Sequence, residues 1–395
     1  MARTPMPLLR MLLTAVTVLA SGAASAGTCA WPDWDTFKQA TMSPDGRVID
    51  HSSPQQITVS EGQAYALFFA LVANDRKTFD RVLNWTQNNL AQGDLTAHLP
   101  AWIWGQHEAG STSAEAKGKT PAGWGVLDTN SASDADLWIA YTLIEAGRLW
   151  HERSYTALGT VLARTILAKE TETLPGLGRT VLPGPVGFRP QEGAWRLNPS
   201  YVPLQVMQRL ATALPEQSEW TAIRDSSIKV VTDTAPHGFS PDWVIYRRDK
   251  GFGPDEPSKA ESAYNAIRVY LWAGTMAADA PSRGAALDAF RPLAEFVQAH
   301  GFPPERVDTQ TGVAGANAGN AGFSAAVAPY LAALGRNDLA QAQEQRVRSL
   351  TAKEPLGYYS SVLVLFGLGY LDGQYRFDAS GAVIPAWTST CPAAH

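Results

Sequence analysis

Ala132-Ser133-Asp134-Ala135-Asp136-Leu137-Trp138-Ile139-Ala140-Tyr141, continuing to Glu145-Ala146-Gly147-Arg148-Leu149-Trp150, is the stretch on which the fold turns. Its apolar residues Leu137, Ala140, Tyr141 and Ile144 recur at i, i+3, i+4 and i+7, the stripe of a helix with one face turned to a core. Outward from this run, helical periodicity recurs in stretches beginning near Ser60, Thr78, Tyr155, Pro199, Gln217, Ser262, Ser282, Gly322, Asn337 and Pro355. That makes about eleven helices, with residues 34–40 able to supply a twelfth. Strand signals are sparse, at 179–182 and 243–246.

The connections alternate in length. Short links fall near Asn74-Asp75, at 151–154, 213–216, Ala280-Pro281 and 335–338, and long ones at 91–132, 173–198, 236–261 and 301–321. In a closed ring of helical hairpins the inner helices run parallel, so long loops that precede alternate helices gather on one face. Loops longer than about a dozen residues in a compact domain are usually functional. No fixed-period motif recurs, which sets aside a helical repeat array. The expectation is an all-α toroid of helical hairpins, with a loop-built cleft at the N-terminal ends of its inner helices.

Glu61, Asp134 and Asn265 each open such a run beside a long loop, and so belong at this cleft. Ser60 and Gln63 fit a capping box around Glu61, and Ser133 fits an N-cap beside Asp134, which gives both acids a structural reading at a helix start. The loops carry Trp102, Trp104, Trp124, Trp195, Trp243 and Tyr246. Such rings combine an apolar face with a polar edge, which suits stacking on sugars and suits anchoring a loop equally well.

Composition bounds the remainder. The 395 residues are 45% hydrophobic and 17% charged with a net charge of -5, enough for a large core and without the basic field that nucleic acid requires. Arg3 and Arg10 precede an apolar stretch at 11–20, and Ala24-Ser25-Ala26 offers a cleavage site. This reads as an export signal over 1–26, followed by a single domain over 27–395 with no membrane span. Two cysteines, Cys29 and Cys391, would tie the chain ends together if bridged in an oxidising compartment. The chain has no His-Glu-x-x-His helix, no phosphate-cradling Gly-Lys-Ser loop and no Gly-x-Ser-x-Gly elbow.

The 132–150 stretch resembles the signature of glycoside hydrolase family 8. Val59-Ser60-Glu61-Gly62-Gln63, Asn198-Pro199-Ser200-Tyr201 and Tyr264-Asn265-Ala266-Ile267-Arg268-Val269-Tyr270 follow in that family's order. Cys29-Ala30-Trp31-Pro32 and Phe239-Ser240-Pro241-Asp242-Trp243 resemble its periplasmic endo-β-1,4-glucanase branch, which is encoded with bacterial cellulose synthase. The resemblance implies an (α/α)6 barrel, inverting hydrolysis of β-1,4-glucan, periplasmic or secreted localisation, and cellulose chains with their export machinery as partners. It implies no cofactor and no metal. Glu61 matches the family's general acid, and Asp134 matches the residue that holds the distorted sugar. The family's base is the aspartate of a Tyr-Asp-Ala motif, where this chain has Asn265. An amide cannot accept water's proton. Glu261, Asp242 and Asp279 are the nearby acids, and none matches a known base position. Trp102, Trp104, Trp195, Tyr201 and Arg268 complete the expected groove. Two other readings remain open at this point: a glucan-binding component that has lost its base, and a different polymer such as xylan or chitosan.

Overall fold

The computed structural model describes Met1 and residues 30–107 and 123–389. The expected export signal, apart from Met1, and the pairing of Cys29 with Cys391 fall outside the described residues. Thirteen α-helices occur among the described residues: α1 (Pro32–Thr41), α2 (Ser60–Val72), α3 (Arg76–Leu90), α4 (Ser133–Leu149), α5 (Arg153–Lys169), α6 (Leu204–Ala213), α7 (Glu219–Thr232), α8 (Ile267–Thr275), α9 (Arg283–Ala289), α10 (Arg291–His300), α11 (Ala321–Ala333), α12 (Asn337–Thr351) and α13 (Tyr358–Leu371).

Burial sorts them into two layers. Every residue of α2 except Glu61 is buried, and α8 is buried throughout. Helices apolar on all sides belong inside. By contrast α3, α10 and α12 bury one side only. The inner helices α2, α4, α6, α8, α11 and α13 each contact the next, and α13 contacts α2, so the ring closes. This is the all-α, (α/α)6 architecture, with α9 and α10 together filling one outer position.

The single helix expected from Ser282 breaks at Phe290 because Pro292 stands at the start of α10. A proline has no N–H for the ladder and biases its predecessor away from helix. The run from Pro199 opens instead with a 3-10 turn, Pro199–Tyr201, before α6 begins behind Pro203. The run from Ser262 begins as a strand, Glu261–Ser262, which pairs with Val307–Asp308. Short antiparallel strands line the long loops, among them Gly178–Val181 and Val244–Arg247 at the two expected places.

On the barrel axis Tyr65, Phe68, Trp138, Trp272 and Phe366 pack with ring centroids 5.0–6.4 Å apart. Edge, tilted and stacked contacts of this kind hold aromatic cores. These rings fill the centre of the barrel beneath the starts of α2 and α4. No helix among the described residues is long and apolar enough to cross a membrane.

Candidate active site

Glu61 sits in the first turn of α2, Asp134 in the first turn of α4, and Asn265 in the turn leading into α8. Ring closure brings these three helix starts together, and Arg268 joins them. Its Nη1 donates to Glu61 Oε2 and, at 2.9 Å, to Asp134 Oδ2, while the Tyr65 hydroxyl lies 3.1 Å away. Its Nη2 donates to Asn265 Oδ1 at 2.9 Å. The guanidinium lies 5.6 Å from the Tyr201 ring. Arg268 is only 3% exposed, and its partners keep it cationic. Its charge is offset by Asp134, which is equally buried.

Glu61 differs from Asp134 in keeping an open edge, with 18% of its side chain exposed. Burial pushes its carboxyl up to about 7, Arg268 opposes the rise, and the charge of Asp134 adds to it. A carboxyl tuned in this way carries a proton near neutral pH and can deliver it. Tyr358, opening α13, approaches Glu61 Oε1 at 3.5 Å. Gly62 permits that approach, since a Cβ there would lie 2.7 Å from the Tyr358 hydroxyl.

The capping roles read from the sequence are not the ones these residues play. No side chain caps α2 or α4, and Ser60 Oγ and Ser133 Oγ are buried without hydrogen-bond partners. Gln63 turns away from the helix start to accept from Val48 N at 2.7 Å and to donate to Gly46 O and Thr86 Oγ1. Burial against the neighbouring inner helices outweighs the local cap. Glu61 is thereby left free to face the cleft.

On the opposite side, Asn265 Oδ1 accepts from Arg268 and, at 3.2 Å, from Asn198 Nδ2. Two donors fix the carbonyl oxygen inward and leave the amide nitrogen outward. Asp242 Oδ1 accepts from the backbone N–H groups of Ala263, Asn265 and Ala266 at 2.8–3.1 Å, which pins the turn that presents Asn265. Glu261 is engaged with Arg306, and Asp279 is exposed beyond the far end of α8.

The expected groove aromatics divide. Trp102 is 37% exposed, and its carbonyl accepts from Ser60 N at 2.9 Å, which places its backbone beside the Glu61 helix start. Trp104 is instead buried between Trp85 and Trp124 with the Arg47 guanidinium 4.4 Å from its ring. Trp195 is buried against Tyr246 and donates to Glu172 at 2.9 Å. Both are loop anchors with little ring surface left for a sugar, a correction to the expected groove. Trp243, stacked on Phe188 and covered by Arg196 at 4.1 Å, lies 5.9 Å from Tyr201 and extends the wall there. Sequence reasoning did not single out Tyr65 or Tyr358. Tyr65 follows Glu61 by one helical turn, a spacing that could have marked it; nothing local marks Tyr358. The described residues contain no cluster of acids and histidines able to hold a metal.

A family model described as glycosyl hydrolases family 8 matches residues 6–373. An endoglucanase of Escherichia coli (strain K12) is 44% identical over 391 residues, covering 99% of this chain and all of that protein. An endoglucanase of Xanthomonas axonopodis pv. citri is 45% identical over 378 residues, covering 95% of this chain and 94% of that one. The crystal structure of an endo-1,4-D-glucanase from Vibrio fischeri ES114 superposes with a TM-score of 0.84 at 45% identity, covering 91% of this chain and all of that one.

Proposed function

The chain belongs to glycosyl hydrolase family 8, and from that premise we propose that it is an endoglucanase that cuts β-1,4-glucan with inversion, slowly, because its base position carries an amide. The observation that carries this reading is Glu61, a cleft carboxyl pushed up to about 7 by burial and opposed across Arg268 by Asn265. Glu61 gives its proton to the departing glycosidic oxygen. Water attacks the anomeric carbon from the other face, the C–O bond breaks, and the water's proton passes to solvent, since Asn265 cannot take it. Asp134, fixed by Arg268 and by Ala135 N at 2.8 Å, accepts hydrogen bonds from the sugar at the cleavage point.

Reducing-end release from carboxymethylcellulose tests the reading. Native activity should vanish in Glu61→Gln. Loss of a general base costs about two to four orders of magnitude, so Asn265→Asp should raise the rate by up to that factor. The first product seen by NMR should be the α-anomer. The pinned orientation of Asn265 favours a second reading, a glucan-binding component of an export system. Cello-oligosaccharide binding without any native release, with release appearing in Asn265→Asp, would select it. Comparative release from xylan and chitosan would decide the polymer. Export to the periplasm or beyond, supported by residues 1–26, and trimming of cellulose beside its synthase complete the proposal. N-terminal sequencing of the exported protein should begin at Gly27.

A further inference from the structure

Two further acids lie behind the site and take no part in the chemistry above. Asp136, two residues after Asp134, and Glu170, the C-cap of α5, are both completely buried. Their carboxyls come within reach of each other, and Ser131 Oγ donates to Glu170 Oε1 at 2.6 Å. No donor reaches Asp136 Oδ1, Asp136 Oδ2 or Glu170 Oε2. Two ionised carboxylates cannot hydrogen-bond each other, and buried acceptors without donors are costly. One proton held between the two removes the first difficulty and serves two of the three oxygens left without a donor.

The position of the pair gives that proton a consequence. Glu170 O accepts from Leu182 N at 2.8 Å, and the next residue along, Pro183, accepts from Ser133 N at 3.0 Å. Asn130, beside Ser131, accepts from Trp102 N at 2.8 Å, and Trp102 in turn holds Ser60 N. The helix starts that bear Asp134 and Glu61, together with the Trp102 platform, are thus tied through one short segment to Glu170. We propose that Asp136 and Glu170 share a single proton and act as a positioning pair that holds Asp134, Trp102 and the Glu61 helix start in register. The proposal rests on the glucanase reading for its catalytic consequence.

Burial raises both carboxyls; Glu170 raises Asp136 further, while Ser131 and Asp136 oppose the rise of Glu170, which still goes up to about 8. The charged groups whose fields reach the pair are Asp134, on the same turn of α4, and Lys169, exposed on α5. A carboxyl whose folded value is raised binds its proton more tightly when folded, so its stabilisation is complete at acid pH and is lost as pH rises through about 8.

Glu170→Gln tests the pair, because one amide can donate permanently to Asp136 and still accept from Ser131. The expected result is near-native kcat at neutral pH and a thermal midpoint that falls less steeply than the wild type's as pH rises toward about 8, Glu61 supplying the fall that remains. Asp136→Asn should behave in the same way. Glu170→Ala should lose about tenfold or more in kcat with little change in KM, the mark of misplaced groups. The infrared carbonyl bands of protonated carboxyls in the wild type should lose one component in Glu170→Gln, with that of Glu61 remaining. The proposal is overturned if the midpoint of Glu170→Gln falls with pH as the wild type does, or if Glu170→Gln loses kcat as Glu170→Ala does. Each variant is measured in native and Asn265→Asp backgrounds. If neither background releases sugar, the glucanase reading fails, while the midpoint and the infrared band, read without substrate, still decide for or against the shared proton.

Discussion

Arg268 reaches both the proton donor and the amide at the base position, so its single charge sets the electrostatics of the site. With Glu61 protonated and Asp134 ionised, these three side chains sum to zero, and a carboxylate at position 265 would bring them to minus one. Restoring that charge should push the Glu61 carboxyl higher still, so Asn265→Asp is expected to extend activity toward alkaline pH as well as to raise it. Tyr358 acts in the opposite direction, because its hydrogen bond lowers the Glu61 value. Glu61 is active while protonated, so the rate falls as pH rises through about 7. Tyr358→Phe should move that alkaline limb to higher pH, and a limb that stays in place would remove Tyr358 from the tuning of the acid. At this scale the sequence named Glu61, Asp134, Asn265 and Arg268, through helix starts and motif order. It could not name Tyr358, which meets Glu61 across 297 residues of chain, or assign Asp242 to the backbone of the 263–266 turn.

Elements were legible where one face differed from the other. Outer helices such as α3 and α12 alternate apolar and polar residues with helical period, so their positions could be read. The inner helices α11 and α13 are apolar on all sides, and their identity came from length and flanking residues instead. The start of α8 was misplaced because Glu261–Ser262 is recruited by a strand about 45 residues away in sequence, a tertiary effect that local propensity does not contain. Packing between inner helices depends on small residues that a periodicity reading passes over. Gly367 on α13 lies against α11, where an added Cβ would stand 1.9 Å from Ala325 O. Backbone cannot yield as a side-chain tip can, so Gly367→Ala should destabilise by about 1–3 kcal/mol or more. The check is a denaturant midpoint that drops with an unchanged slope. An undisturbed midpoint would mean that α11 and α13 separate freely.

Considered whole, the barrel has two unlike ends. Long loops make one end a cleft, and the chain after α13 covers the other. The hairpin Tyr375–Phe377 with Val383–Pro385 reaches back to inner helices that were laid down far earlier in the chain. Tyr141 on α4 donates to Gly381 O at 2.9 Å, and Trp387 donates to Leu71 O at the end of α2 at 3.1 Å. At the centre of this cover stands Glu145, completely buried, which accepts from Arg148, from Arg209 on α6 at 2.6 Å and from Val383 N at 3.0 Å. One carboxylate therefore joins two inner helices to the C-terminal hairpin, and the sequence showed it only as a residue of the 132–150 stretch. Removing one member of a buried ionic cluster leaves the others uncompensated and costs about 3–5 kcal/mol. Glu145→Ala should lower the thermal midpoint accordingly, and Glu145→Gln, which keeps an acceptor, should lower it less. Because Glu145 lies three turns of α4 below Asp134, the glucanase rate per folded molecule should be unchanged in both. Calorimetry paired with activity at a temperature below both midpoints separates the two effects. A lost rate in fully folded Glu145→Gln would mean that the two ends of the barrel are coupled, and that the hairpin shapes the cleft as well as sealing the core.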